Sequence, residues 1–330
     1  MDIDSSAPTR IDLAGGTFDI WPLYLFHDGA QTINAAINLR AHCRLTSRRD
    51  HRIRLISEDT DQQVEAADPA ELGSDRLPLV ARLAQHFGAR GVDIQTRSDS
   101  PVGAGIAGSS AMAVAVAAAL AAWTGRTMDP EALLTVAMNI EAQVLGVPTG
   151  VQDYRPAMYG GVSAIEMGVT GVSRVPLSVD VRELERRVVL AYTGASRQSG
   201  INNWKVMTRR IDGDAEVTQA FDGIRDAAAG VRHALERHNW KDLAMHMSAE
   251  WEHRKRLAPS VTTPDIDAML GAAKEAGAMA GKVCGAGGGG CLFCLVDPDR
   301  RASVNAALVS RGADVLPITI ESQGLTLARV

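Results

Sequence analysis

The sequence predicts a soluble two-domain protein that mixes strands and helices, and three observations carry that expectation. A chain of 330 residues, 46% of them hydrophobic, can bury more than one core. Near residue 100, strand-like segments feed a glycine- and serine-rich turn that runs straight into an alanine-rich helix. A second unit opens at the apolar strand Arg187-Val-Val-Leu-Ala-Tyr192, which puts a domain boundary near Asp180 and divides the chain into residues 1–180 and 181–330.

Along the first unit, Ser6 to Trp21 reads as a short strand broken by Gly15-Gly16 and followed by an aromatic, proline-containing turn. Strand-like stretches follow at Gln31 to Thr46 and His51 to Ser57. A helix is expected over Leu77 to Phe87, and a strand over Val92 to Arg97. The central turn and helix cover Ser98 to Trp123. Asp129 is the expected N-cap of the next helix, with Pro130 at its first position and its end near Gly146. In the second unit, Thr193-Gly-Ala-Ser196-Arg197 is a turn before a helix from Ile201 to Arg210. Further helices are expected at Ala215 to His238, Trp240 to Ala258 and Thr263 to Ala276. The glycine run Gly285 to Gly290 joins two apolar strands, and a helix (Ala302 to Arg311) with strands at Val315 to Ile320 and Leu325 to Val330 finishes this domain.

Composition excludes several function classes. A net charge of −5 supplies no general basic field for nucleic acid, and Arg48-Arg49 and Arg209-Arg210 read as solvated faces. Four unevenly placed cysteines do not make a disulfide framework, and Cys291-Leu-Phe-Cys294 reads as a core strand rather than a metal pair. His233, His238, His246 and His253 form no HExxH pair. The opening Met-Asp-Ile-Asp lacks the features of a signal peptide, and the run Ala111 to Trp123 is shorter than the roughly 20 residues a membrane span needs. A cytoplasmic protein without membrane or nucleic-acid partners is expected, and oligomeric state is not legible.

The stretch Pro101-Val-Gly103-Ala104-Gly105-Ile106-Ala107-Gly108-Ser109-Ser110-Ala111 carries the chemistry. Its glycines allow tight backbone turns, and the N–H groups and dipole of the following helix attract an anion, so a phosphate is the natural guest. An ordinary turn with Ser109 or Ser110 as N-cap is the other reading. The Walker pattern fails because no lysine follows Gly108. The dinucleotide fingerprint GxGxxG fits Gly103, Gly105 and Gly108 literally, but the expected strand with a terminal acid beyond it is replaced by the helical pattern from Asp129 to Leu145.

This loop resembles that of the GHMP kinases, the superfamily of galactokinase, homoserine, mevalonate and phosphomevalonate kinases, with one extra residue near Ile106-Ala107. Two further stretches share the resemblance in the family's order: Arg10 to Asp19 around Gly15-Gly16, and Lys282-Val-Cys284-Gly285-Ala286-Gly287-Gly288-Gly-Gly. Gln152-Asp153 with Gly160-Gly161 is most similar to the heptose-phosphate kinases within the sugar-kinase branch. The resemblance implies an α+β fold of two domains, ribosomal protein S5 domain 2-like and then ferredoxin-like, with the site between them.

It implies an ATP-dependent phosphotransferase acting on an alcohol group of a sugar or sugar phosphate. The anomeric hydroxyl of a heptose 7-phosphate is the first expectation, with galactose- or fucose-type sugars next. By the same resemblance Pro101 to Ser110 cradle ATP, Ser110 and Glu141 bind Mg²⁺, Asp153 is the base and Arg10 its basic partner. Gly15, Gly16, Thr17, Asp19, Gln152, Ser196, Arg197 and Gly285 to Gly288 border the substrate. Arg197 and Lys205 are further candidates to anchor a phosphate on it. Two other classes stay open: a non-catalytic ATP- and sugar-binding protein of the same fold, and an NAD-dependent oxidoreductase resting on GxGxxG.

Overall fold

A computed structural model describes residues 2–73, 75–196 and 201–330, and the statements below concern those residues. The first unit runs β1 (Ile3–Ala14), β2 (Gln31–Ser47), β3 (Ile53–Ser57), β4 (Gln62–Ala66), α1 (Pro78–Phe87), β5 (Val92–Ser98), α2 (Gly108–Trp123), α3 (Pro130–Leu145), α4 (Tyr154–Tyr159), β6 (Val162–Gly168) and β7 (Gly171–Pro176). The second runs α5 (Val181–Arg187), β8 (Val188–Tyr192), α6 (Ile201–Ile211), α7 (Ala215–Glu236), α8 (Trp240–Lys255), α9 (Pro264–Glu275), β9 (Ala278–Val283), β10 (Cys291–Val296), α10 (Arg301–Ser310) and β11 (Asp314–Leu316), after which β12 (Thr326–Arg329) returns to the first unit.

The first sheet has the order β12-β1-β2-β5-β3-β4, with β6 joining β2 and β7 joining β6. Its long strand β2 pairs with β5 through Ala41–Ser47 and with β6 through Gln31–Ala35, while β1 runs beside both halves. The pairings are antiparallel apart from β3 with β5, which is parallel. This is not the parallel sheet of a dinucleotide-binding unit. The second sheet, β11-β8-β10-β9, is antiparallel throughout.

Helix α2 is the centre of the first unit. Alanine and valine dominate it and most positions are buried, as expected for a helix apolar on all sides. It packs on β1 and β2 with one face and on α1, α3 and α4 with the other. Asp129 caps α3, accepting from Glu131 N at 2.9 Å. A second core cluster joins the two units, because Ile11, Ile33 and Ile37 of the first sheet pack with Leu190, Phe293 and Leu295 of the second and with Val231 and Leu243 from α7 and α8. Both faces of the second half of β1 are therefore buried.

Several expectations change. The strand Leu325 to Val330 does not finish the second domain: β12 pairs with β1, Ile3 opposite Arg329, and so closes the first sheet. The strand expected at Val315 to Ile320 is limited to Asp314–Leu316. Strands β4, β6 and β7 have no counterpart in the sequence reading, and their short, partly polar patterns explain why. Cys291–Val296 is a wholly buried strand, and all four cysteines are buried thiols. No described helix is long and apolar enough to cross a membrane.

Candidate active site

A cleft of about 460 Å³ runs between the two units. Its floor begins at the loop before α2. Gly103, Gly105 and Ala107 all have left-handed backbone, with φ of 72°, 73° and 66°. Ala107 is the N-cap of α2 and offers no side-chain bond, so neither Ser109 nor Ser110 caps the helix, and Gly108, Ser109 and Ser110 of its first turn line the cleft. The extra residue falls in this turn: Ile106 points into the core, fully buried, and its carbonyl accepts Arg10 N at 3.0 Å. The loop is fastened from the other unit as well, since Ala104 O accepts Cys291 N at 2.6 Å.

Arg10 and Asp153 meet in the middle of the cleft. The guanidinium donates from Nε at 2.9 Å and Nη2 at 2.6 Å to the same oxygen, Asp153 Oδ1, and from Nη1 to Gly105 O at 3.1 Å. Burial alone would lower the Arg10 pKa, yet the Asp153 and Asp12 carboxylates raise it, so the group stays charged at 2% exposure. Asp153 sits at the N-cap of α4 without capping it, turned toward Arg10 instead. Because Arg10 uses only Oδ1, Oδ2 is left for another partner.

Asp19 lies one step further along. It is buried against Gly150, where any Cβ would overlap its carboxylate. Oδ2 accepts Gln152 N at 3.0 Å and Oδ1 accepts Gln152 Nε2 at 3.2 Å. Burial, and then the negative charge of Asp153, push Asp19 up to about 7.

On the opposite wall Ser110 donates to Glu141 Oε2 at 2.8 Å, and Tyr154 donates to the same oxygen at 2.6 Å. Burial raises the Glu141 pKa, and among the described residues no basic side chain pairs with it. A hydroxyl beside a carboxylate short of positive charge suits a hard divalent cation. Among the described residues no group of three or more His, Cys, Asp or Glu side chains is assembled, so such an ion would draw its remaining ligands from phosphate and water. Beyond them Leu77, Leu79, Met112, Val144 and Val147 line an apolar slot.

Pro101, Gly103, Ala104, Gly105, Ala107, Gly108, Ser109, Ser110, Thr17, Asp19, Glu141, Gln152, Asp153, Gly285 and Ala286 all line the cleft. Six candidates do not. Ile106 is core; Gly15 packs on the Gln31 backbone and Gly16 on the Arg254 guanidinium. Gly287 packs on Val261, Gly288 N donates to Val261 O at 2.9 Å, and Ser196 rests on Gly103 of the phosphate loop rather than on the Asp19 pocket. Arg197 lies outside the described residues, and Lys205 is exposed on α6.

Sequence reasoning missed Arg254, Asn203 and Tyr154, which also line the cleft. Arg254 belongs to a buried ionic cluster under the site, bonding Asp12 Oδ2 at 2.9 Å, Glu250 Oε1 at 3.1 Å, Thr17 Oγ1 at 3.3 Å and Gly285 O, with Lys282 Nζ at 2.9 Å from Glu250. Asp12 Oδ1 in turn accepts Gly285 N at 3.0 Å, so the two glycine turns are locked together. Alternating charges on a helix signal only a solvated face in sequence, which is why this cluster was not visible.

Comparison with known proteins agrees with this geometry. The GHMP kinases N terminal domain matches residues 77–161 and the GHMP kinases C terminal domain matches residues 231–314. The chain is 30% identical over 339 residues to D-glycero-alpha-D-manno-heptose 7-phosphate kinase of Campylobacter jejuni, covering 99% of each. It is 25% identical over 350 residues to a mevalonate kinase of Thermococcus sibiricus, covering 99% of this chain and 98% of that one. The crystal structure of a D-glycero-D-manno-heptose 1-phosphate kinase from Bacteriodes thetaiotaomicron superposes with a TM-score of 0.80 at 26% identity over 99% of both chains. Two domain matches in order, a full-length relative and a shared architecture lead to one conclusion: the chain belongs to the GHMP kinases.

Proposed function

We propose that this protein transfers the γ-phosphoryl group of ATP to a hydroxyl of a sugar phosphate, with the anomeric hydroxyl of a heptose 7-phosphate as first candidate. The observation that carries the reading is the Arg10–Asp153 pair, set between the phosphate loop and the Asp19 pocket. The full-length relative named for a heptose 7-phosphate supports the substrate class.

Phosphoryl transfer asks chiefly for positioning and charge neutralisation. The apolar slot takes the adenine, and the loop and first turn of α2 take the phosphates. Ser110 and Glu141 would hold Mg²⁺, which when bound neutralises phosphate charge. Asp19 and Gln152 receive sugar hydroxyls beside the reacting one. Asp153 Oδ2 takes the proton as the hydroxyl oxygen bonds to the γ-phosphorus and the bond to the β-phosphate oxygen breaks, releasing ADP. Arg10 orients the Asp153 carboxylate and offsets charge on the transferring group. Residues 1–180 form the ATP-binding unit and 181–330 the C-terminal unit, apart from β12, and a cytoplasmic location fits a kinase that consumes ATP.

The test is acceptor-dependent ADP release with heptose 7-phosphate, galactose, fucose and mevalonate, followed by ³¹P NMR of the product. Heptose 7-phosphate should give a new anomeric phosphate, and Asp153→Asn should lower kcat by roughly 10²–10⁴-fold with ATP binding retained. Turnover of mevalonate alone would overturn the sugar assignment. Binding of ATP with no acceptor-dependent turnover would favour a non-catalytic protein.

A further inference from the structure

Glu141 comes from α3, Ser110 from α2 and Asp153 from the start of α4, and one side chain ties the three segments together. Tyr154 is 1% exposed, and its hydroxyl donates at 2.6 Å to the oxygen of Glu141 that also takes the Ser110 hydroxyl at 2.8 Å. Thr149, in the Gly146–Gly150 turn that carries the chain into Asp153, sets its hydroxyl beside that of Tyr154. Glu141 is itself 5% exposed, so a buried carboxylate is held by neutral donors, Tyr154 and Ser110 on one oxygen with the Ser109 hydroxyl beside it.

We propose that Tyr154 is a positioning residue for the divalent cation, holding the Glu141 carboxylate in its ligating rotamer and at a set separation from the neighbouring Asp153. The Ser109 and Ser110 hydroxyls both come from the first turn of α2, so Tyr154 is the donor that braces Glu141 from the α4 side, and losing it frees the carboxylate to turn. Tyr154 is adjacent in sequence to Asp153, so the same bond that orients Glu141 also ties the base-bearing segment to the cation wall. The residue therefore acts through Glu141: its hydroxyl is spent on that carboxylate and its ring is 1% exposed. This inference rests on the assignment of Glu141 to the cation.

Calorimetric binding of ATP to the full chain, with Mg²⁺ and with EDTA, tests it without turnover. In Tyr154→Phe the ring and its packing remain, so the metal-free ATP affinity should match the parent, with only the modest drop in thermal melt that loss of one buried hydrogen bond brings. The affinity gained on adding Mg²⁺ should fall by about 10–100-fold, the usual effect of losing an outer partner of a metal ligand. Thr149→Val, which leaves the tyrosine in place, should lose a smaller part of that gain and serves as the second variant should Tyr154→Phe melt early. A full Mg²⁺ gain in Tyr154→Phe, with the gain lost in Glu141→Gln, would make Tyr154 a packing residue only. A full gain in Glu141→Gln as well would remove the cation assignment on which the inference stands.

Discussion

Asp19 carries the sharpest conflict between burial and charge in the cleft. Burial and the neighbouring Asp153 push it up to about 7 from an ordinary value of 3.8, while two bonds from Gln152 hold it in place. A carboxylate raised by folding is protonated in the native state before it is in the unfolded chain, so native stability falls as pH rises from about 4 to about 7 and then levels. Asp19→Asn removes that loss and can still accept one of the Gln152 bonds. Its melting temperature should exceed that of the parent by a margin that grows between pH 4 and 7, while the sugar KM rises and ATP affinity holds. A margin independent of pH would show that Asp19 is ionised in the native state throughout this range. At this scale the partnership of Arg10 with Asp153 was expected from the resemblance to the GHMP kinases, whereas Tyr154, one residue on, carried no signal at all.

At the scale of elements, α7 and α8 are packed through an arrangement that composition hides. Gly223 and Gly230 stand seven residues apart on α7, and a Cβ on either would overlap the ring of His253 or His246, seven residues apart on α8. Two histidines that form no HExxH pair thus fill the close approach that two glycines create. Gly230→Ala gains up to about 1 kcal/mol of helix propensity, but the methyl must displace a ring in a packed interface, which typically costs about 1–3 kcal/mol. The melt should therefore drop for Gly230→Ala alone, and the same change made on His246→Ala should raise it. A drop of equal size in both backgrounds would place the strain elsewhere. The glycine loops behave differently: the left-handed turns at Gly103 and Gly105 were expected from the motif, but the assignment of Ala107 as N-cap depends on Ile106 being drawn into the core.

For the whole molecule, the two units are joined by a continuous apolar cluster with a charged cluster inside it. Asp12 from β1, Glu250 and Arg254 from α8 and Lys282 from β9 are each at most 1% exposed and together balance in charge. Burial on its own would raise the Asp12 pKa, yet Lys282, Arg254 and Arg10 hold it well below the usual carboxylate range. Removing one partner leaves an uncompensated buried charge, a cost of about 3–5 kcal/mol. Glu250→Gln leaves an excess positive charge and Lys282→Met an excess negative one, so the double variant, neutral again, should lose much less stability than the sum of the two. Additive losses in denaturant unfolding would mean the four groups do not act as one cluster.

The sequence by itself determined the order of the motifs, the phosphate-friendly loop entering α2, the cap of α3 and the identity of the residues that meet as Arg10, Asp19 and Asp153. The loop and the cap follow from local rules, positive φ at glycine, free N–H groups at a helix start and capping by Asp129, whereas Arg10, Asp19 and Asp153 were reached only through the resemblance to the GHMP kinases. Only the tertiary structure decided that Gly15, Gly16, Gly287 and Gly288 serve packing rather than the cleft wall, that Tyr154 and Arg254 enter the site, and that the last strand returns to the first sheet. Each of those depends on contacts between residues far apart in the chain, such as Arg254 with Asp12 and Arg329 with Ile3. A backbone pattern read over a few neighbours holds no record of which distant group will desolvate it or supply its partner.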